Sequence, residues 1–377
     1  MKSHISIALL AVLSISGGVA APNLHLRGEY ASPEQWHLSF LKVAEAHKVS
    51  RGNGIKVALP DSGVDRHPDL EGNLLSGTDI VPGGSGDGLT DKDGHGTGMA
   101  GLIAAHGGGK SDTLGIAPQA KILPIYCSPP GANSDTESLS AAIEYAISNG
   151  ADVISISIAG GASSRLEQAI KMALQSDIVV VAAAGNAPWN QVAGYPARYP
   201  EVIAVGGIDR NGNRAAVSVT GPEIDVVAPA VDIYSTSLDG KYRKGTGTSD
   251  ATAIVAGAAA LIRSKYPYLP AQEVAHRLTA TAIDKGAPGR DDEYGYGVID
   301  LVAALTADVP PLGFESVSAS AGAGPTTTAG AQPGDDEGDA TARGLATLGV
   351  ILAAGVGWAV VVRRRRRGDD PPPRISR

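Results

Sequence analysis

The sequence predicts an α/β fold: a doubly wound, mostly parallel sheet with helices on both faces, joined to one C-terminal transmembrane helix. Three observations predict it. Strand-like and helix-like segments alternate through the middle of the chain. The segments VISISI and IVVVAAA are apolar at nearly every position, as expected of parallel strands that helices cover on both faces. Near the C-terminus an uncharged run, residues 345–362, is about long enough to cross a bilayer.

At the N-terminus, Lys2 and His4 precede ISIALLAVLSISGGVA, which is too short to span a bilayer comfortably and ends in small residues. Residues 1–20 therefore read as a secretory signal peptide cleaved near Ala20. Residues 21–50 form an N-terminal extension, in which Trp36 and the spacing of Leu38, Leu41 and Ala44 suggest a short helix. The folded domain then occupies residues 51–309. IKVALP, with Ile55, Val57 and Leu59 alternating, is a predicted strand that ends just before DSGVD. HGTGMAGLIAAH follows as a helix, AKILPIY as a strand, SLSAAIEYAISNGA as a helix and DVISISIAG as a strand. LEQAIKMALQS and DIVVVAAAGN repeat the unit, and later helices begin at TSDATAIVAG and AQEVAHRL.

Residues 310–342 are rich in Pro, Gly, Ser, Thr and Ala, with an acidic cluster at Asp335, Asp336, Glu337 and Asp339. Such a composition buries too little apolar area to offset the ordering of the chain, so it reads as a tether. The span is assigned to residues 343–362 and a basic tail to residues 363–377, opening with five arginines. The heavier positive cluster lies on the C-terminal side, so the tail is expected in the cytoplasm and the domain outside a single-pass cell membrane anchor. That orientation agrees with a signal peptide.

The chain of 377 residues carries a net charge of -8, with a pI near 5.5. A nucleic-acid binder would show a basic patch on its folded part, so that class is excluded. Cys127 is the only cysteine. It permits no internal disulfide, and with no base in ILPIYCSPP it reads as a small buried hydrophobe.

In open α/β sheets, sites form beyond the carboxyl ends of the strands. That rule selects the loops DSGVD, SIAGG and AGN, none of which carries a phosphate-binding fingerprint. Ser249, in KGTGTSDATAIVAG, opens a helix and could be a nucleophile or only a cap. A serine nucleophile needs a base, and the base needs a third group to hold its tautomer. Of eight histidines, His47, His67, His95 and His106 are plausible on position, and His95 stands out because DGHGTG surrounds it with small residues at a helix start. His67, followed by a proline, reads as a turn residue. Asp61, at the end of the first strand, could orient an imidazole, while Asp65, Asp69 and Asp93 are less favourably placed. Asp87, Asp91 and Asp93 read as solvated turns rather than calcium ligands, and no cluster has metal-ligand spacing.

PDSGVDRHPDL, DGHGTGMAGLIAA and GTGTSDATAIVAGAAALI resemble, in order, the three catalytic blocks of the subtilisin-like serine proteases, and AAAGN resembles their oxyanion block. The resemblance implies a subtilisin-like fold and an endopeptidase acting on protein or peptide substrates through an acyl-enzyme, without a cofactor or catalytic metal. It implies Ser249 as nucleophile, His95 as general base, Asp61 as its orienter, and Asn186 with the Ser249 N–H as oxyanion donors. Ser157, Ile158, Ala159 and Gly160 are similar to the strand that pairs with an extended substrate. Pro60, Ala159, Asp250 and Ala253 depart from the family pattern. Asp250 is expected to face the leaving-group side, where its charge would favour basic substrate residues.

Signal, short extension, protease domain, tether, span and basic tail together are similar to the mycosins, membrane-anchored proteases of type VII secretion systems. The segment before the first strand is too short for a folding-chaperone propeptide, which fits that group, whereas the single cysteine departs from it. The resemblance implies association with a type VII secretion membrane complex. A different class remains open: an inactive or weakly active scaffold that stabilises such a complex.

Overall fold

The computed structural model describes residues 34–313, except 82, 108–111 and 130–134. The signal peptide, most of the tether, the span and the basic tail lie outside the described residues. Among the described residues no helix is long and apolar enough to cross a membrane.

Seven strands form one sheet: β1 (Lys56–Asp61), β2 (Thr78–Asp79), β3 (Lys121–Tyr126), β4 (Val153–Ile156), β5 (Val179–Ala183), β6 (Ile203–Ile208) and β7 (Val226–Pro229). Their order is β2-β3-β1-β4-β5-β6-β7, and every paired neighbour runs parallel. The chain winds from β1 outward to β3, then returns to the other side of β1 for β4. That reversal makes the carboxyl end of β1 a switch point, where a crevice opens above the sheet. A separate antiparallel pair, β8 (Ile233–Thr236) and β9 (Tyr242–Gly245), completes the strands.

The period of two explains why these strands are apolar throughout. Val57, Leu59, Val153, Val179 and Val181 face one core with Met99, Leu102, Ile103, Ile254 and Leu261. Ala58, Ile154, Ile156, Val180 and Ala182 face another with Leu139, Ile143, Leu166 and Ile170. The first core lies under α3 (His95–Ala104) and α6 (Thr248–Lys265); the second lies under α4 (Thr136–Ser148) and α5 (Ser164–Gln175). Asp135 caps α4 by accepting from the N–H groups of Glu137 and Ser138, which fixes where that helix begins. Helix α6 is built almost wholly of small and aliphatic residues and is buried from Thr248 to Arg263, so it packs directly on the strands.

The N-terminal extension forms two short helices, α1 (Trp36–Phe40) and α2 (Val43–Ala46), because Lys42 adopts a left-handed conformation with φ 52° between them. Leu38 and Leu41 join the first core, while Ala44 is only partly buried. The Gln35 side-chain amide bonds both the N–H and the carbonyl of Leu114, tying the extension to the domain. Helices α7 (Ala271–Ala280) and α8 (Leu301–Thr306) complete the described chain.

Candidate active site

Asp61 is the last residue of β1 and is 2 % exposed. Its Oδ1 accepts from the Ser62 N–H at 2.7 Å and from His95 Nδ1 at 2.8 Å. His95 is the first residue of α3, and its entry is set by the loop before it. Asp91 accepts from the Ser62 hydroxyl and the Gly94 N–H with one oxygen, and from the Thr97 N–H and hydroxyl with the other. This buried carboxylate therefore joins the end of β1 to the first turn of α3. Gly96 permits the approach, since a Cβ there would collide with the Gly63 carbonyl and lie 3.1 Å from Asp61 Cβ. With Nδ1–H directed at Asp61, the basic lone pair of His95 is on Nε2.

Burial disfavours the His95 imidazolium, but the charge and hydrogen bond of Asp61 outweigh it and raise the imidazole from 6.5 to about 9. The proton affinity is higher in the folded state. The pair's contribution to stability is therefore complete below about 6.5 and is lost as pH rises through about 9. Cys127, beside the same strand end, is buried and its thiol is pushed upward by burial, so it stays protonated.

Ser249 is the second residue of α6, and Gly247 occupies the N-cap. The serine is thus not the helix cap that its sequence context allowed. Its hydroxyl donates to the Ser157 carbonyl at 3.3 Å, and the Ser157 hydroxyl donates back to the Ser249 carbonyl at 3.4 Å. These bonds join the start of α6 to the loop leaving β4. Catalytic hydrogen bonds in a ligand-free site commonly tighten only when substrate is bound. The Ser249 N–H lies in the first helical turn, where amides lack intrahelical acceptors and the helix dipole favours negative charge.

Asn186 follows β5 and completes this edge. Its Oδ1 accepts from the Thr248 N–H at 2.9 Å and the Thr248 hydroxyl at 3.1 Å. An oxygen so engaged fixes the amide flip and leaves Nδ2 as donor, close to Gly247. Asn186 is thereby tied to Thr248, the residue before Ser249 at the start of α6.

Of the proposed substrate strand, Ser157, Ile158, Ala159 and Gly160 all lie beyond the end of β4 at Ile156. Gly160 exchanges both main-chain hydrogen bonds with Tyr195, so its backbone is already paired.

Asp250 corrects the sequence expectation. The residue is 2 % exposed, and its carboxylate receives Nη2 of Arg243 at 3.3 Å instead of facing a substrate. Two residues that shape the site were not singled out for it by sequence reasoning. Asp91 resembled a solvated turn acid, and Arg243, on the hairpin strand β9, gave no signal at all. His67 behaves as the turn residue expected, its Nδ1 accepting from the Asp69 N–H and its Nε2 donating to the Lys241 carbonyl. Among the described residues no group of His, Cys, Asp and Glu could hold a metal ion.

The chain is similar to known proteins in sequence and in fold. The Subtilase family pattern matches residues 52–297. Subtilisin DY of Bacillus licheniformis is 42% identical over 273 residues, covering 70% of this chain and 97% of that protein. Among solved structures, MycP1 with its N-terminal propeptide removed matches with a TM-score of 0.67 at 32% identity, covering 73% of this chain and 98% of the other. MycP3 protease from the type VII (ESX-3) secretion system matches with a TM-score of 0.65 at 35% identity, covering 74% and 89%.

Proposed function

The chain belongs to the subtilase family and is a serine endopeptidase, and from that premise we propose that Ser249, His95 and Asp61 carry the reaction in a membrane-anchored extracellular enzyme. The observation that carries the reading is the 2.8 Å bond from His95 Nδ1 to buried Asp61, at the same sheet edge as Ser249 and Asn186. His95 Nε2 takes the hydroxyl proton as Ser249 Oγ attacks the scissile carbonyl. Asp61 holds the tautomer and stabilises the imidazolium that forms. The oxyanion accepts from Asn186 Nδ2 and the Ser249 N–H, and collapse of the tetrahedral species passes the proton to the leaving amine. Water then cleaves the acyl-enzyme by the same steps. Ser157, Ile158 and Ala159 offer the edge along which an extended substrate pairs.

The test is hydrolysis of denatured casein by the full chain. Activity abolished by a sulfonyl fluoride is expected, and activity that survives the inhibitor would contradict the reading. Asn186→Leu removes one oxyanion donor and is expected to lower kcat on the order of 100-fold to 1000-fold with little change in KM. An unchanged kcat would remove Asn186 from the mechanism.

The anchored topology rests on the sequence: signal peptide 1–20, tether 310–342, span 343–362 and basic tail 363–377. The full chain is expected to stay in the membrane pellet after alkaline carbonate washing, and a chain ending at residue 342 to be released. Release of both would end the anchor assignment. Similarity to MycP1 and MycP3 supports association with a type VII secretion membrane complex. An inactive scaffold is the weaker reading, because it gives no chemical reason for the Asp61–His95 bond beside Ser249.

A further inference from the structure

The Asp250 carboxylate and the Arg243 guanidinium meet between the two helices that start at the site. Asp250 directly follows Ser249 on α6, while Arg243 reaches in from β9 with its side chain 24% exposed. Two glycines make room for the pair. A Cβ on Gly98, one turn beyond His95 on α3, would lie 3.1 Å from Cζ and Nη1 of Arg243. A Cβ on Gly245 would collide with both Arg243 Nη2 and Asp250 Oδ1. The hairpin is itself fastened to α3: the Ser235 and Thr236 hydroxyls donate to the Gly98 and Thr97 carbonyls, each at 2.6 Å. The guanidinium is therefore held in place from both sides.

The charged groups around the His95 imidazole come from four elements. Asp61 lies on β1, and Asp91 and Asp93 lie in the loop before α3, where Asp93 accepts from the His95 main-chain N–H. Arg243 on β9 and Asp250 on α6 complete the set. Arg243 disfavours the imidazolium and Asp250 favours it. Burial lifts the Asp250 carboxyl to about 6, with Arg243 and His95 opposing that rise, so the carboxylate is charged at neutral pH and above.

We propose that Arg243 and Asp250 are positioning residues, a buried charge pair wedged between the helix starts of His95 and Ser249, whose balance governs how readily the imidazole takes its proton. This rests on His95 being the general base. Arg243 offsets part of the negative field from Asp61, and Asp250 keeps the guanidinium in place while moderating it. Asp250→Asn preserves shape and leaves Arg243 uncompensated, so His95 should lose its proton at lower pH. Arg243→Gln with Asp250→Asn removes both charges and should return the imidazole toward its original behaviour.

The experiment follows the His95 ring signal by NMR in the full chain, assigned by its loss in His95→Gln, together with the pH dependence of kcat/KM on a neutral peptide. In Asp250→Asn the ring midpoint should fall by about half to one pH unit, the size expected for loss of one nearby, partly screened charge. The double variant should recover most of that shift. An unmoved midpoint in Asp250→Asn, with kcat/KM lowered equally at every pH, would reduce the pair to a structural brace and overturn the proposal. A midpoint that moves while the acid limb of kcat/KM stays fixed would support the pair and count against His95 as the base.

Discussion

Replacing Ser249 by alanine is expected to lower kcat for peptide hydrolysis on the order of 10⁶-fold, the loss known for the nucleophile of subtilisin itself. The reason is the loss of the covalent route that the Ser249 hydroxyl provides. The thiol of Cys127 is buried and held protonated, so it does not replace the hydroxyl. The fold should not change, because Ser249 sits in the first turn of α6 and its hydroxyl makes one bond of 3.3 Å. Circular dichroism and the melting temperature should therefore match the parent. A residual rate above that of water is expected, because the oxyanion donors and substrate edge remain. A loss below tenfold would place the nucleophile elsewhere.

Asp61→Asn is expected to have two effects. The plateau of kcat should fall about 10⁴-fold, because an asparagine at this position favours the wrong imidazole tautomer and cannot stabilise the imidazolium. The pH dependence should move as well. In the parent, His95 must be neutral to act, so kcat/KM should rise as pH increases toward about 9 and then level off. Without the carboxylate, burial and Arg243 dominate and both disfavour the imidazolium. The acid limb should accordingly shift to lower pH while the plateau drops. A lowered plateau with an unshifted limb would mean that Asp61 does not set the proton affinity of His95.

Much of this site can be read from the sequence because its constraints are local. Asp61 closes an apolar strand, His95 stands among glycines, and Asn186 follows AAAG. The structure brings all three to one sheet edge with Ser249. Strands β1, β3, β4 and β5 were legible for a similar reason: they are buried on both faces and run apolar. The strand β6, IAVGGI, ends in a glycine pair and an isoleucine, and β7 is four residues ending in proline, so neither carries a periodic signal. The hairpin strand YRKG looks like exposed chain, and nothing in its sequence says that Arg243 turns inward. Its inward turn depends on Gly98 and Asp250, which are distant or on another element.

Asp91 and Asp250 show the limit from the acid side. Acids beside glycines usually belong to solvated turns, and a sequence cannot show that Ser62, 29 residues away, closes over Asp91. An aspartate at a helix start has an ordinary explanation in the helix dipole. The charge that pairs with Asp250 becomes visible only once β9 is folded against α6.

The central claim is that Ser249 is a hydroxyl made nucleophilic by its neighbours, and covalent capture tests it most directly. The full chain is treated with a fluorophosphonate probe at pH 9 and digested, and the modified residue is located by mass spectrometry. A single adduct on Ser249, strongly reduced in His95→Gln and absent in Ser249→Ala, is the predicted result. No adduct at Ser249, or equal labelling of the parent and His95→Gln, would contradict the account.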